Sequence, residues 1–109
     1  MTEGADLAGL LDTWQRLRVE VEKVKEQLGE ESVTGETGGG MVKVTANGRG
    51  ELTAVAIDPT LVASGEVKMI EDLVVGAVNI AIARAHNLAQ EEIAQATAGF
   101  PMPTGLFGG

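Results

Sequence analysis

The chain has no cysteine and no tyrosine, and only one histidine, one tryptophan, two phenylalanines and three prolines. Without cysteine there is no disulfide, no thiolate nucleophile and no thiolate metal ligand, although that absence fits any compartment. The single histidine, His86, has no second histidine or cysteine with which to build a metal site, and no HExxH pattern occurs. It reads as a solvated helix histidine. With aromatics scarce, valine, leucine, isoleucine and alanine must supply the packing. No stretch reaches the roughly 18 uninterrupted apolar residues of a membrane span. The first ten residues, MTEGADLAGL, carry acid where a signal peptide would carry base. A cytoplasmic protein is expected.

Positive charge is also in short supply. Sixteen acidic side chains face eight basic ones, for a net charge of −8, and no third of the chain is net positive. Residues 1–31 hold four basic and eight acidic groups, residues 32–65 two and three, and residues 66–109 two and five. Such a balance favours solubility and opposes indiscriminate attachment to nucleic acid, because phosphate binding draws its non-specific affinity from basic side chains.

At 109 residues the chain fits one domain. Leu7, Leu10, Trp14, Leu17, Val21, Val24 and Leu28 recur at alternating spacings of three and four, a heptad seam. A helix is predicted from about Ala5 or Asp6 to Gly29, which reads as its C-terminal glycine. At ~1.5 Å per residue it would run roughly 35 Å and overhang a small sheet, so part of its seam must meet another helix. Arg16 and Lys23 share one helical position beside the seam, and Arg18 and Lys25 another. Glu20 and Lys25 stand where two helices could exchange an ion pair. Arg16 with Glu20 and Arg18 with Glu22 are i,i+4 pairs of little energetic weight.

In VTGETGGGMVKVTANGRGELTAVAIDP the period changes to two. Val42, Val44 and Ala46 alternate with Met41, Lys43 and Thr45, and Leu52, Ala54 and Ala56 with Thr53, Val55 and Ile57. These are two strands joined by Asn47-Gly48-Arg49-Gly50, a short hairpin loop. A weaker strand, residues 32–37, precedes three glycines and is expected to pair back as the sheet edge. The glycines join strand to strand, not strand to helix, and no Lys-Ser or Lys-Thr follows, so a phosphate loop is excluded. Asp58-Pro59 opens a brief helical turn, and Ser64 is read as the N-cap of a final helix. Along that helix Val67, Ile70, Val74, Val78, Ala81, Ala85, Leu88 and Ile93 form a wide apolar stripe. A three-stranded sheet leaves surface in need of cover, and Ala77, Ala81 and Ala85 would let backbones approach closely. Val74, Val78, Ala81 and Ala85 are the candidate dimer interface.

Catalysis needs convergent groups, and the adjacent acids Glu71-Asp72 and Glu91-Glu92 diverge on a helix by about 100°. No enzyme, cofactor, metal or small-molecule substrate is expected. Residues 1–98 form the folded unit, and residues 99–109, GFPMPTGLFGG, an uncharged Pro/Gly-rich tail with apolar Phe100, Met102, Leu106 and Phe107.

The VTGE strand, the glycine run, the VKVTANG hairpin, the AIDP corner and the EDLVVGAVN helix together resemble the YbaB/EbfC nucleoid-associated proteins, over roughly residues 7–98. The resemblance implies an α+β fold in the order α-β-β-β-α and a tweezer-like homodimer with projecting helices. It also implies binding to duplex DNA in the cytoplasmic nucleoid. The family role would then fall to Arg16, Arg18, Lys23 and Lys25 on the first helix, with Arg84 a lesser candidate. They would contact the phosphate backbone with little base readout, since no element presents Arg or Asn as a recognition helix does. The acidic composition supports a contrasting reading, a protein-interaction module whose partner belongs to DNA repair or replication.

Overall fold

The structure is a computed structural model that describes residues 2–100, with side chains described from Leu7 onward. The tail residues Met102, Leu106 and Phe107, and the segment 101–109 that holds them, lie outside the described residues. The order is α1 (Thr2–Leu28), β1 (Ser32–Thr37), a 3-10 turn (Gly38–Gly40), β2 (Val42–Asn47), β3 (Leu52–Ile57), α2 (Pro59–Ala63) and α3 (Val67–Thr97). The three strands are antiparallel in the order β1-β2-β3, which places β1 at an edge as expected.

Alternation on β2 produces the core. Val42, Val44 and Ala46 are fully buried while Lys43 between them is exposed. They meet Leu61 of α2 and Ala77 and Ala81 of α3. Burying a valine side chain completely is worth about 1.5–3 kcal/mol, so two of them anchor a small core. The helix lies directly on β1. A Cβ at Gly35 would stand 2.2 Å from the Ala77 carbonyl oxygen and 2.6 Å from the Ala81 nitrogen, so only glycine permits this approach. Thr37 Oγ1 donates to the Leu73 carbonyl at 2.7 Å, and an Arg84 guanidinium nitrogen to the Thr34 carbonyl at 2.5 Å, pinning the helix at two further points.

The residues named as a candidate interface also pack within the chain. Ala81 and Ala85 are buried inside the single chain, and Val74 and Val78 are half-buried against the same core. The small-residue stripe therefore serves the helix–sheet contact. The apolar face left open lies about 100° around α3, where Val75 is 60 % and Ile82 38 % exposed. Beyond it β3 is exposed along both faces, including Leu52 and Val55.

Two helix ends also differ from expectation. α1 begins at Thr2, three or four residues before the expected start. Ser64 closes α2 instead of opening α3, and its Oγ donates to the Leu61 carbonyl at 2.5 Å. Gly65 then turns the chain at φ 74°, and Glu66 becomes the N-cap of α3. The Asp58-Pro59 corner forms as expected, with Thr60 N–H donating to Asp58 Oδ1 at 2.7 Å.

The radius of gyration is 20.6 Å and the extents are 76 × 26 × 16 Å. A compact chain of this length would have a radius near 13 Å. Two long helices, α1 of 27 residues and α3 of 31, give the elongation, and among the described residues of α1 only Val24 and Leu28, near its C-terminal end, are buried.

Candidate nucleic-acid interface

The N-terminal part of α1 is an arm. Its heptad seam is covered only at the base; farther out Leu7, Leu10 and Trp14 are exposed, Leu7 by 59 %. Arg16, Arg18, Lys23 and Lys25 are all exposed along this helix. Arg16 Nε lies 3.3 Å from Asp12, Lys23 Nζ 3.5 Å from Glu20, and Lys25 Nζ 3.8 Å from Glu22. The partners differ from the Arg16–Glu20 and Arg18–Glu22 pairs expected from spacing, and Glu20 and Lys25 pair within their own helix. Each such exposed pair is worth only a few tenths of a kcal/mol, so a phosphate can displace the carboxylate at little cost. Among the described residues Arg18 has neither an ion pair nor a side-chain hydrogen bond.

The remaining basic residues have structural partners. Lys43 faces Glu36 across β1 and β2 at 4.0 Å, and Lys68 faces Asp72 at 3.2 Å. Arg84 is exposed and tied to β1 as described, so the structure separates it from the four arm residues. Arg49 lies in the β2–β3 loop, where its sequence position marks only a turn. Its Nε donates to the Lys25 carbonyl in the last turn of α1 at 2.9 Å. Next to it the Gly48 amide donates to the carbonyls of Leu28 at 2.8 Å and Glu31 at 3.1 Å. Gly29 does not adopt positive φ, so it is not a left-handed helix cap. Its missing side chain instead makes room for Arg49, whose Cζ stands 2.9 Å from where a Cβ would be. The signal available in sequence was Gly29 following a helix and Arg49 in a loop, but a contact across 24 residues has no local periodicity.

Beside this clamp a groove of about 680 Å³ opens between α1 and α3, floored by Leu28, Ile82, Ala89 and Ile93, with Lys25, Arg49 and exposed His86 at its rim. A second cleft between the helices brings Glu20 and Glu31 toward Glu92. Glu31 Oε2 is buried without a donor. A hydrogen bond to Glu31, aided by partial burial and the charges of Glu31 and Glu91, holds the Glu92 carboxyl above the ordinary carboxylate range. The two observations agree if the proton is Glu92's, since a carboxylate pair has no donor until one member is protonated. Among the described residues no three His, Cys, Asp or Glu side chains are arranged to hold a metal ion. Among those residues no helix is long and apolar enough to cross a membrane.

An α-β-β-β-α unit whose first helix exposes four cations is what the motif resemblance implied, and the family model for YbaB/EbfC DNA-binding proteins matches residues 3–100. The chain belongs to this family. A nucleoid-associated protein of Caldanaerobacter subterraneus subsp. tengcongensis is 40 % identical over 104 residues, covering 95 % of this chain and 93 % of that protein. One from Anaeromyxobacter sp. is 43 % identical over 98 residues, covering 90 % and 95 %. The crystal structure of an uncharacterized protein from Helicobacter pylori superposes with a TM-score of 0.71 at 26 % identity, covering 91 % of this chain and all of that one. YbaB/EbfC membership and the α+β fold thus agree with the reading of the motifs.

Proposed function

We propose that this YbaB/EbfC chain is a nucleoid-associated homodimer that grips duplex DNA by its phosphate backbone, with little sequence preference. The observation that carries the proposal is α1, which runs beside the C-terminal half of α3 and holds four exposed basic residues on a family member. Arg18 leads because no carboxylate among the described residues pairs with it; Arg16, Lys23 and Lys25 exchange weak carboxylate partners for phosphate. Arg84 stays the lesser candidate, since one of its nitrogens already serves β1. Pairing two copies through Val75 and Ile82 of α3 and Leu52 and Val55 of β3 would cover the open apolar face. It would also protect an uncharged edge strand that otherwise invites aggregation.

The test combines sedimentation with a DNA shift assay at low salt. Wild type should sediment as a dimer and retard random-sequence duplex. Reversing Arg16, Arg18, Lys23 and Lys25 to glutamate should abolish the shift while leaving the dimer intact. Undiminished DNA binding by that variant would remove the arm assignment.

One observation favours a second reading. Three of the four arm cations already face carboxylates, on a chain of net charge −8. Under it the same dimer is a protein-interaction scaffold for a DNA-repair or replication partner. Failure of wild type to retard any DNA at low salt would select it.

A further inference from the structure

We infer that Arg49 is a positioning residue: it locks the base of the α1 arm to the sheet and so fixes the angle at which the arm projects. The functional half of this inference rests on the DNA-binding reading; the structural half does not.

Three contacts converge on the last turn of α1, and all come from one four-residue loop. Arg49 Nε–H donates to the Lys25 carbonyl at 2.9 Å, Gly48 N–H donates to the Leu28 carbonyl at 2.8 Å, and the guanidinium lies over Gly29. A positive group at a helix C-terminus also complements the dipole there. The loop is itself rigid. Asn47 Oδ1 accepts from the amides of Arg49 at 2.9 Å and Glu51 at 3.1 Å, and its amide nitrogen donates to the Glu51 carboxylate at 2.7 Å. Hairpin and helix end are thus one hydrogen-bonded unit, with Gly29 and Gly48 supplying the space. A Cβ on Gly48 would fall 2.7 Å from the Leu28 carbonyl oxygen.

Leverage makes the clamp matter. Arg16 is twelve residues from Leu28, about 18 Å along the helix, so a tilt of roughly 10° at the base displaces it by about 3 Å. That is a whole hydrogen-bond length at a phosphate. Few buried side chains resist such a tilt, because Val24 and Leu28 are the only buried ones among the described residues of α1. Lysine cannot replace arginine here. It keeps the charge but lacks the planar fork whose Nε–H reaches the Lys25 carbonyl.

The experiment uses the full chain with Arg49→Lys and Arg49→Gln. Without DNA, amide hydrogen exchange over residues 21–28 should quicken about tenfold in both variants, while α3 amides stay protected. With random duplex DNA, both should bind about tenfold more weakly at an unchanged salt slope, because a loosened arm is competent only part of the time. Unchanged α1 exchange in both variants would overturn the clamp. A salt slope that shrinks by about 0.9 in Arg49→Gln and is restored in Arg49→Lys would make Arg49 a direct phosphate contact instead. If wild type binds no DNA, the DNA reading fails and the exchange experiment alone decides the clamp.

Discussion

Replacing Gly35 by alanine tests how α3 is seated on the sheet. The added Cβ would stand 2.2 Å from the Ala77 carbonyl oxygen, about 1.2 Å short of ordinary van der Waals contact, and 2.6 Å from the Ala81 nitrogen. Both opposing atoms are backbone, so no rotamer change relieves the clash and α3 must lift from β1. Lifting uncovers Val42 and Val44, which α3 helps bury completely. Overpacking of this kind costs roughly 1–3 kcal/mol, and a backbone obstacle places it at the upper end. The alanine also narrows the unfolded ensemble, offsetting about 0.4–1 kcal/mol. A net loss of about 2 kcal/mol corresponds to a melting temperature lower by roughly 10 °C. The control is Gly9→Ala, on the exposed arm with no atom within 4 Å of its Cβ. There the same substitution should stabilise α1 by about 0.5–1 kcal/mol. Circular dichroism melts at matched protein concentration measure both, since association would shift the midpoint. Gly35→Ala melting at or above wild type, or Gly9→Ala falling equally far, would refute the close helix–sheet approach.

Other outcomes follow from the same geometry. Ile82→Glu and Val75→Glu should each shift sedimentation toward monomer, whereas Ala85→Ser, at a position buried inside one chain, should not; the opposite result would return the interface to the small-residue stripe. Glu92 is raised above the ordinary carboxylate range, so the folded state holds its proton more tightly than the unfolded one. Stability from this proton is present below the unfolded carboxylate value and is lost as pH rises through the folded one. Glu92→Gln should therefore melt higher than wild type at pH 7 and lose that advantage near pH 4, as thermal melts across pH would show; a gap that does not change with pH would contradict the shared proton.

Most of the fold was legible because periodicity switches from the 3.5-residue repeat to alternation at Ser32 and back to a helical repeat at Val67, with Asn, Gly and Asp-Pro marking the corners. What failed was local competition. Ser64 is a good helix N-cap by type, but Gly65 turns the chain first. The alanines at 77, 81 and 85 announced a close approach without naming the surface approached. Gly35, a glycine inside a strand, held the answer, since a strand needs no glycine unless a backbone comes near. The arm cations were visible as residues, but their carboxylate partners were not, because rotamers decide between neighbours at i±3 and i±4. The Arg49 contact depends on tertiary folding and left no pattern to read.

The salt dependence of wild-type affinity for random duplex DNA is the most direct test of an arm that works by charge. Each phosphate neutralised contributes about −0.9 to the slope of log affinity against log salt, so four residues of one arm give about −3.6, roughly a hundredfold loss between about 50 and 200 mM. A slope of at least that steepness, lost with the four arm cations, is the predicted result. Affinity that is flat with salt, or absent even at the lowest salt, would contradict it.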